Sequence, residues 1–179
     1  MCIRDRFKTY PEELKWLTTD DTRTTWIAKT ISDIATSGNT LILVDRISAG
    51  EKLNNKIKNS VFISGATKNI ERKEHYDEVS TAESKIIIAT YGVASVGINI
   101  PRIFNLVLIE PGKSFVRVIQ SIGRGIRKAE DKDHVQIWDI TSSCKFAKRH
   151  LTQRKKFYKE ANYPFKIEKI NYENPYTRK

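Results

Sequence analysis

Lys85-Ile86-Ile87-Ile88-Ala89-Thr90, continued at once by Tyr91-Gly92-Val93-Ala94-Ser95-Val96-Gly97-Ile98-Asn99-Ile100-Pro101, decides how this chain folds. Its first six residues carry a continuous apolar run, the mark of a strand buried on both faces. Thr40-Leu41-Ile42-Leu43-Val44-Asp45 and Asn105-Leu106-Val107-Leu108-Ile109-Glu110 repeat the signature, and shorter runs occur at 61–64 and 134–139. Helical periods separate them. Asp20 or Thr19 can cap a helix whose apolar stripe is Trp26, Ile27, Ile31, Ile34 and Ala35 and which stops at Ser37-Gly38-Asn39. Further helices are expected over about 48–58, 69–80 and 143–160, whereas 10–19 reads as a connector with a short turn at 12–16. Strands alternating with helices predict a parallel sheet covered on both faces.

In such sheets ligands gather outside the carboxyl ends of the strands, so the loops there should hold the function. Small residues at 89–101 would let a phosphate backbone approach the main chain closely, although an ordinary strand-to-helix turn would also use glycine. The second informative stretch is Gln120-Ser121-Ile122-Gly123-Arg124-Gly125-Ile126-Arg127. At helical spacing Phe115, Val118, Ile119, Ile122 and Ile126 share one stripe. Gln120, Arg124 and Arg127, at i, i+4 and i+7, share another face and can converge on one ligand. Any amphipathic helix carries polar residues opposite its core, but Gly123 and Gly125 each cost a helix interior about 1 kcal/mol relative to alanine. Phosphoryl transfer suits the arrangement, because a guanidinium offers a planar, permanently charged fork to γ-phosphate oxygens.

The octet resembles motif VI of the superfamily 2 helicases, Gln-x-x-Gly-Arg-x-x-Arg, and 89–101 resembles motif V at the expected distance before it. Leu43-Val44-Asp45-Arg46 resembles motif IV, and Ser64-Gly65 with Arg72 the backbone-contacting segment between IV and V. Within the superfamily the wording is most similar to phage recombination helicases and their XPB-like and RecG-like relatives. The resemblance covers about residues 20–140 and implies a RecA-like three-layer α/β sandwich with a mostly parallel sheet. It makes Arg124 and Arg127 arginine fingers and Gln120 a contact to the nucleotide region. It sets Gly97, Asn99 and Gly123 near ATP, and turns Thr90, Tyr91, Ser95, Arg46 and Gly65 toward the nucleic-acid backbone. Many members carry Asp where Asn99 stands, so a ribose contact there would run through an amide.

Pro111-Gly112-Lys113-Ser114 sits where a phosphate-binding P-loop would, but the glycine that motif needs five residues before its Gly-Lys is Val107, inside a strand. Ser114 reads instead as the N-cap of the motif VI helix, accepting from Val116 or Arg117. Neither Gly-x-x-x-x-Gly-Lys-Thr/Ser nor an Asp-Glu-x-His or Asp-Glu-x-Asp box occurs. The expectation is therefore the second motor lobe of an ATP-dependent helicase for DNA or an RNA–DNA hybrid, engaged in unwinding or branch remodelling during recombination and repair. ATP and magnesium would be held mainly by an N-terminal lobe of the same polypeptide. The rival is a non-catalytic RecA-like nucleic-acid-binding module.

A length of 179 residues suits one lobe, expected over 20–162, with a connector at 1–19 and a basic tail at 163–179. Residues 1–6 are out of keeping with the rest of the chain and carry no weight in the fold. The net charge of +11 favours a polyanionic partner. It is concentrated at 141–179, where eleven Lys or Arg face three Glu. In the last helix Lys145, Lys148, Arg149, Arg154, Lys155, Lys156 and Lys159 surround a thin stripe of Phe146, His150, Leu151 and Phe157. They either stay solvated or extend a phosphate-contacting surface. Trp26 and Trp138 read as core, and His75, His134 and His150 show no partner pattern. Two cysteines and three histidines make no disulfide framework or zinc spacing, no run approaches a membrane span, and no signal peptide is evident. A monomer in the cytoplasm, that of the host for a phage protein, and no membrane partner complete the expectation.

Overall fold

The computed structural model describes residues 6–112, 115–123 and 134–172, with the side chains of Arg117 and Ser121 left out. Among them the order is α1 (Tyr10–Thr19), α2 (Asp21–Ala35), β1 (Thr40–Val44), α3 (Ile47–Lys56), β2 (Ser60–Ile63), α4 (Asn69–Val79), β3 (Ile86–Thr90), α5 (Tyr91–Ser95), β4 (Asn105–Ile109), α6 (Phe115–Gly123), β5 (Gln136–Ile140) and α7 (Lys145–Glu160). The strands form one sheet in the order β2-β3-β1-β4-β5, every pairing parallel. The central register sets Thr40 opposite both Ile86 and Asn105.

The three central strands are buried throughout, which is why their sequences run apolar without alternation. Odd positions of β1 and β3 (Leu41, Leu43, Ile87, Ala89) and even ones of β4 (Leu106, Leu108) face a core closed by α4, α5, α6 and α7. The opposite set (Ile42, Val44, Ile86, Ile88, Val107, Ile109) faces α2 and α3 through Ile27, Ile31, Ile34, Ala49 and Leu53. Full burial of each such aliphatic side chain contributes about 1.5–3 kcal/mol, so the two cores hold the three layers together. This is the RecA-like sandwich expected.

Asn39, completely buried, laces the amino edge of the sheet. Its Nδ2 donates toward the carbonyls of Val79 (3.1 Å), Ala82 (2.9 Å) and Arg102 (3.1 Å), and its Oδ1 accepts from Lys85 N (2.8 Å). The preceding Gly38 needs to be glycine: its φ is +150° and an added Cβ would meet the Phe104 ring at 2.8 Å.

Three expectations need correction. Residues 10–19 form a ten-residue helix and not a connector with a short turn, because Thr9 and Glu12 complete a reciprocal capping box and Pro11 sits in the first turn, where no amide partner is lost. Trp138 is not core but 39% exposed, on the edge strand β5, with Nε1 donating to Asn105 Oδ1 at 3.2 Å. On α7 the buried stripe is Ala147, His150, Arg154 and Tyr158, while Phe146, Leu151 and Phe157 are half-buried. Beyond α7, residues 163–172 run without regular structure; Phe165 packs on Tyr158, and Tyr172 stacks on Trp26 of α2 at 5.7 Å.

Candidate nucleotide and nucleic-acid interface

Because every strand runs the same way, the residues after them gather along one edge: Asp45 and Arg46 after β1, Ser64 and Gly65 after β2, Tyr91 after β3, Glu110 to Gly112 after β4, and Thr141 after β5. Thr90 ends β3 with its backbone extended. Its Oγ1 accepts from Val93 N at 3.3 Å and so caps α5, a one-turn helix inside the stretch expected to be a loop. Tyr91 is the first residue of α5, and its hydroxyl donates to Ile109 O at 3.0 Å, tying α5 to β4. Burial holds that phenol well above its usual range. Ser95 Oγ donates to Gly92 O at 2.8 Å. Gly97 has φ +99°, a left-handed conformation that glycine adopts freely, and a Cβ there would meet only open space. Asn99 is exposed. The segment thus offers bare main chain and one amide side chain to whatever lies outside the edge.

At β1, Arg46 is the backbone N-cap of α3, and its guanidinium lies 3.5 Å from Asp45, both side chains about two-fifths exposed. Such a pair contributes about 0–1 kcal/mol and leaves the guanidinium available. At β2, Gly65 is exposed, and Arg72 fixes its turn from behind by donating Nη2 to Ser64 O (2.9 Å) and Gly65 O (3.0 Å). On α6, Phe115, Val118, Ile119 and Ile122 are buried as the periodicity requires, Gln120 is exposed on the other face, and Gly123 is half-buried at the end of the described helix. α5 packs against α6, so the short helix of the 89–101 stretch lies against the helix that contains Gln120–Gly123. Arg124, Gly125, Ile126 and Arg127 lie outside the described residues, as does Ser114. The sheet order brings Thr90, Arg46 and Glu110 onto adjacent strands, with Gly65 one strand further out.

Beneath this edge lies a buried polar network that sequence reasoning missed. Glu110 takes φ +45°, unusual for a residue other than glycine, and its carboxylate pairs with Arg23 while accepting from Thr141 Oγ1 at 3.1 Å. Burial raises its pKa, with Arg23 and Thr141 pulling the other way. Next to it Arg154, 2% exposed, donates Nε and Nη2 to the two oxygens of Asp139 (2.7 and 2.9 Å) and Nη1 to Pro111 O (2.7 Å). Burial works against its charge, and Asp139 outweighs it, keeping the guanidinium protonated. Tyr158 donates to Asp139 at 2.7 Å, and burial together with Asp139 pushes its phenol upward. Arg154, expected among a solvated or phosphate-contacting set, is therefore interior. Lys145, Lys148, Arg149, Lys156 and Lys159 of that helix are exposed. His75 lies 3.9 Å from Glu71 and 3.7 Å from Glu78, and His150 is buried against Tyr10. An acidic residue directly after an apolar strand was a signal for Glu110; no local pattern announces partners 87 residues away.

Among the described residues no group of three or more His, Cys, Asp or Glu could hold a metal ion, and no helix is long and apolar enough to cross a membrane. The described residues put one partly exposed guanidinium, that of Arg46 beside Asp45, and the exposed amides of Asn99 and Gln120 on these segments.

Residues 23–129 match the family described as the helicase conserved C-terminal domain. The chain is 32% identical over 164 residues to the ATP-dependent DNA helicase uvsW of Enterobacteria phage T4, an alignment covering 89% of this chain and 32% of that protein. It therefore spans about a third of that relative's length. The crystal structure of T4 UvsW superposes with a TM-score of 0.79 at 25% identity, covering 93% of this chain and 38% of the other. The Saccharomyces cerevisiae protein Dbp5, solved bound to RNA and ADP BeF3, shares the fold with a TM-score of 0.60 at 17% identity, over 85% of this chain and 39% of that one.

Proposed function

Since the chain belongs to the helicase conserved C-terminal domain family, we propose that it is the second motor lobe of an ATP-dependent DNA helicase or translocase that unwinds or remodels branched DNA. The observation that carries this reading is the packing of α5 against α6, which sets the helix of the 89–101 stretch against the helix that contains Gln120–Gly123. The DNA assignment is supported by likeness to a protein named as a DNA helicase.

In this reading ATP and magnesium are held mainly by a lobe that precedes this one in the same polypeptide. The bound nucleotide supplies the free energy of phosphate-bond hydrolysis. Arg124 and Arg127 reach across the cleft to stabilise charge on the γ-phosphate, and Gln120, exposed on α6, contacts the nucleotide region. Gly97, Asn99 and Gly123 leave room for, and donate toward, the nucleotide. Ser95, Arg46 and Gly65 present a hydroxyl, a guanidinium and main chain to backbone phosphates, and Thr90, 9% exposed with its Oγ1 capping α5, fixes the turn from which they are approached. Tyr91, with its hydroxyl on Ile109 O, serves by fixing α5. Closure of the two lobes engages the arginines, and reopening releases them, so that grip on the strand alternates with hydrolysis.

The test is Arg124→Ala in the two-lobe protein. Turnover of ATP should fall by about 10³–10⁵-fold while DNA affinity changes little; near-normal turnover refutes the assignment. Comparing stimulation of hydrolysis by single-stranded DNA, forked DNA and an RNA–DNA hybrid then identifies the track.

A further inference from the structure

In open α/β sheets the crevice between carboxyl ends forms where the strand order reverses, and ligands usually occupy it. Here that point lies between β1 and β4, from which the other strands spread to either side. The chain places one of its own residues beside it. Tyr10, from α1, is half-buried and brings its hydroxyl to the turn just past β4. A Cβ built on Gly112 would lie 3.0 Å from that hydroxyl oxygen. The ring cannot easily retreat, because it stands edge-on against His150 at 4.6 Å and tilts against Phe146 at 6.4 Å.

Gly112 matters because α6 departs from it: Phe115 N donates to Gly112 O at 3.3 Å, and Arg154 holds the preceding Pro111 O at 2.7 Å. The turn is gripped from two sides, by α1 and by α7, and both helices lie outside residues 23–129. The two are joined to each other, since the Glu13 carboxylate accepts from the N–H groups that open α7.

We propose that Tyr10 is a positioning residue of the motor: by abutting Gly112 it sets the direction in which α6, the helix that carries Gln120, leaves the sheet. α1 thereby makes the alignment of α6 depend on a helix that lies before the matched family segment, so a pull on α1 is a pull on α6. This rests on the motor reading above.

The experiment measures ATP hydrolysis at saturating DNA in the two-lobe protein carrying the four combinations of Tyr10→Phe and Gly112→Ala. Gly112 has no left-handed backbone requirement, so a methyl group there meets chiefly the Tyr10 hydroxyl. Gly112→Ala should lower kcat about tenfold with KM for ATP nearly unchanged, since displacement of a catalytic group by a fraction of an ångström has effects of that order. Adding Tyr10→Phe removes the oxygen and should recover most of the loss, a coupling that independent sites would not show. Loss of kcat that Tyr10→Phe does not relieve, or no loss in Gly112→Ala, overturns the inference. Matched thermal unfolding of the variants separates misalignment from loss of fold, and a tenfold drop explained by unfolding also overturns it. Failure of the unsubstituted two-lobe protein to hydrolyse ATP would instead remove the motor reading itself.

Discussion

Glu13 and Ala147 are 134 positions apart in the chain, yet the carboxylate of the first accepts the main-chain N–H of the second at 2.6 Å, inside a side chain with no exposed surface. A second bond from Phe146 N, at 2.9 Å, completes a cap on the amino end of α7 that Cys144, at the N-cap position, does not supply through its own side chain. A carboxylate there satisfies free amides and opposes the positive end of the helix dipole.

Glu13→Ala should therefore cost more than an ordinary surface cap. One buried N–H group, of Ala147, and one part-buried, of Phe146, lose their partner at about 1–3 kcal/mol for each unsatisfied buried group, so a net loss of about 2–4 kcal/mol is expected. Urea unfolding of the lobe measures it, and a change below about 0.5 kcal/mol, the level of a neutral surface substitution, would contradict the cap.

Arg154→Met leaves Asp139, 14% exposed, with only Tyr158 as a side-chain donor among the described residues. Removing one partner of a buried pair costs about 3–5 kcal/mol, whereas replacing both with apolar residues is often far cheaper. Arg154→Met combined with Asp139→Leu should then be more stable than Arg154→Met alone, in the same unfolding measurement. Equal losses would mean the pair is not coupled.

At Gly50 two effects oppose each other. Alanine gains about 1 kcal/mol of helix propensity over glycine in α3. Its Cβ, however, would lie 2.2 Å from the ring of Phe62 on β2, and overpacking of this kind costs about 1–3 kcal/mol. Gly50→Ala should be destabilising on balance, and Phe62→Leu in the same chain should reverse the sign. Thermal unfolding of the single and double variants decides it.

Tyr10 gives a pH dependence of definite sign. Burial, then the charges of Asp45 and Glu110, raise its pKa from 10.0 to about 12, so the folded lobe holds this proton more tightly than the unfolded chain. The associated stability is fully present below pH 10 and is lost as pH rises from 10 toward 12. Ultraviolet titration of tyrosinate should show one step near 12 that Tyr10→Phe removes, and the variant should lose less stability over that interval. A step near 10 that Tyr10→Phe removes would contradict the placement.

The central strands and the α2 and α6 stripes were legible because burial on two faces or on one writes a local pattern, continuous in 41–44, 86–89 and 106–109 and helical in 115–122. The carboxyl-edge loops came from strand direction alone. α1 escaped notice although Thr9-x-x-Glu12 is a capping-box signature, since Pro11 and the charged residues around it favour a turn when read without the cap geometry. Glu110 carried a local signal as the acid directly after an apolar strand, but its partners and those of Arg154 had none. A buried charge is explained by its partners, and Asp139, Arg23 and Pro111 are set beside them by the topology and not by spacing.

The order of the sheet also governs when the lobe can become a protein at all. β1, its middle strand, leaves the ribosome before either neighbour exists, and Thr40 waits 46 residues for Ile86 and 65 for Asn105. Through that interval a stretch of Leu, Ile and Val has no edge to join, the situation in which nascent chains aggregate or recruit chaperones. Slowed translation between β1 and β3 should lower soluble yield, whereas slowing after β4 should leave it unchanged.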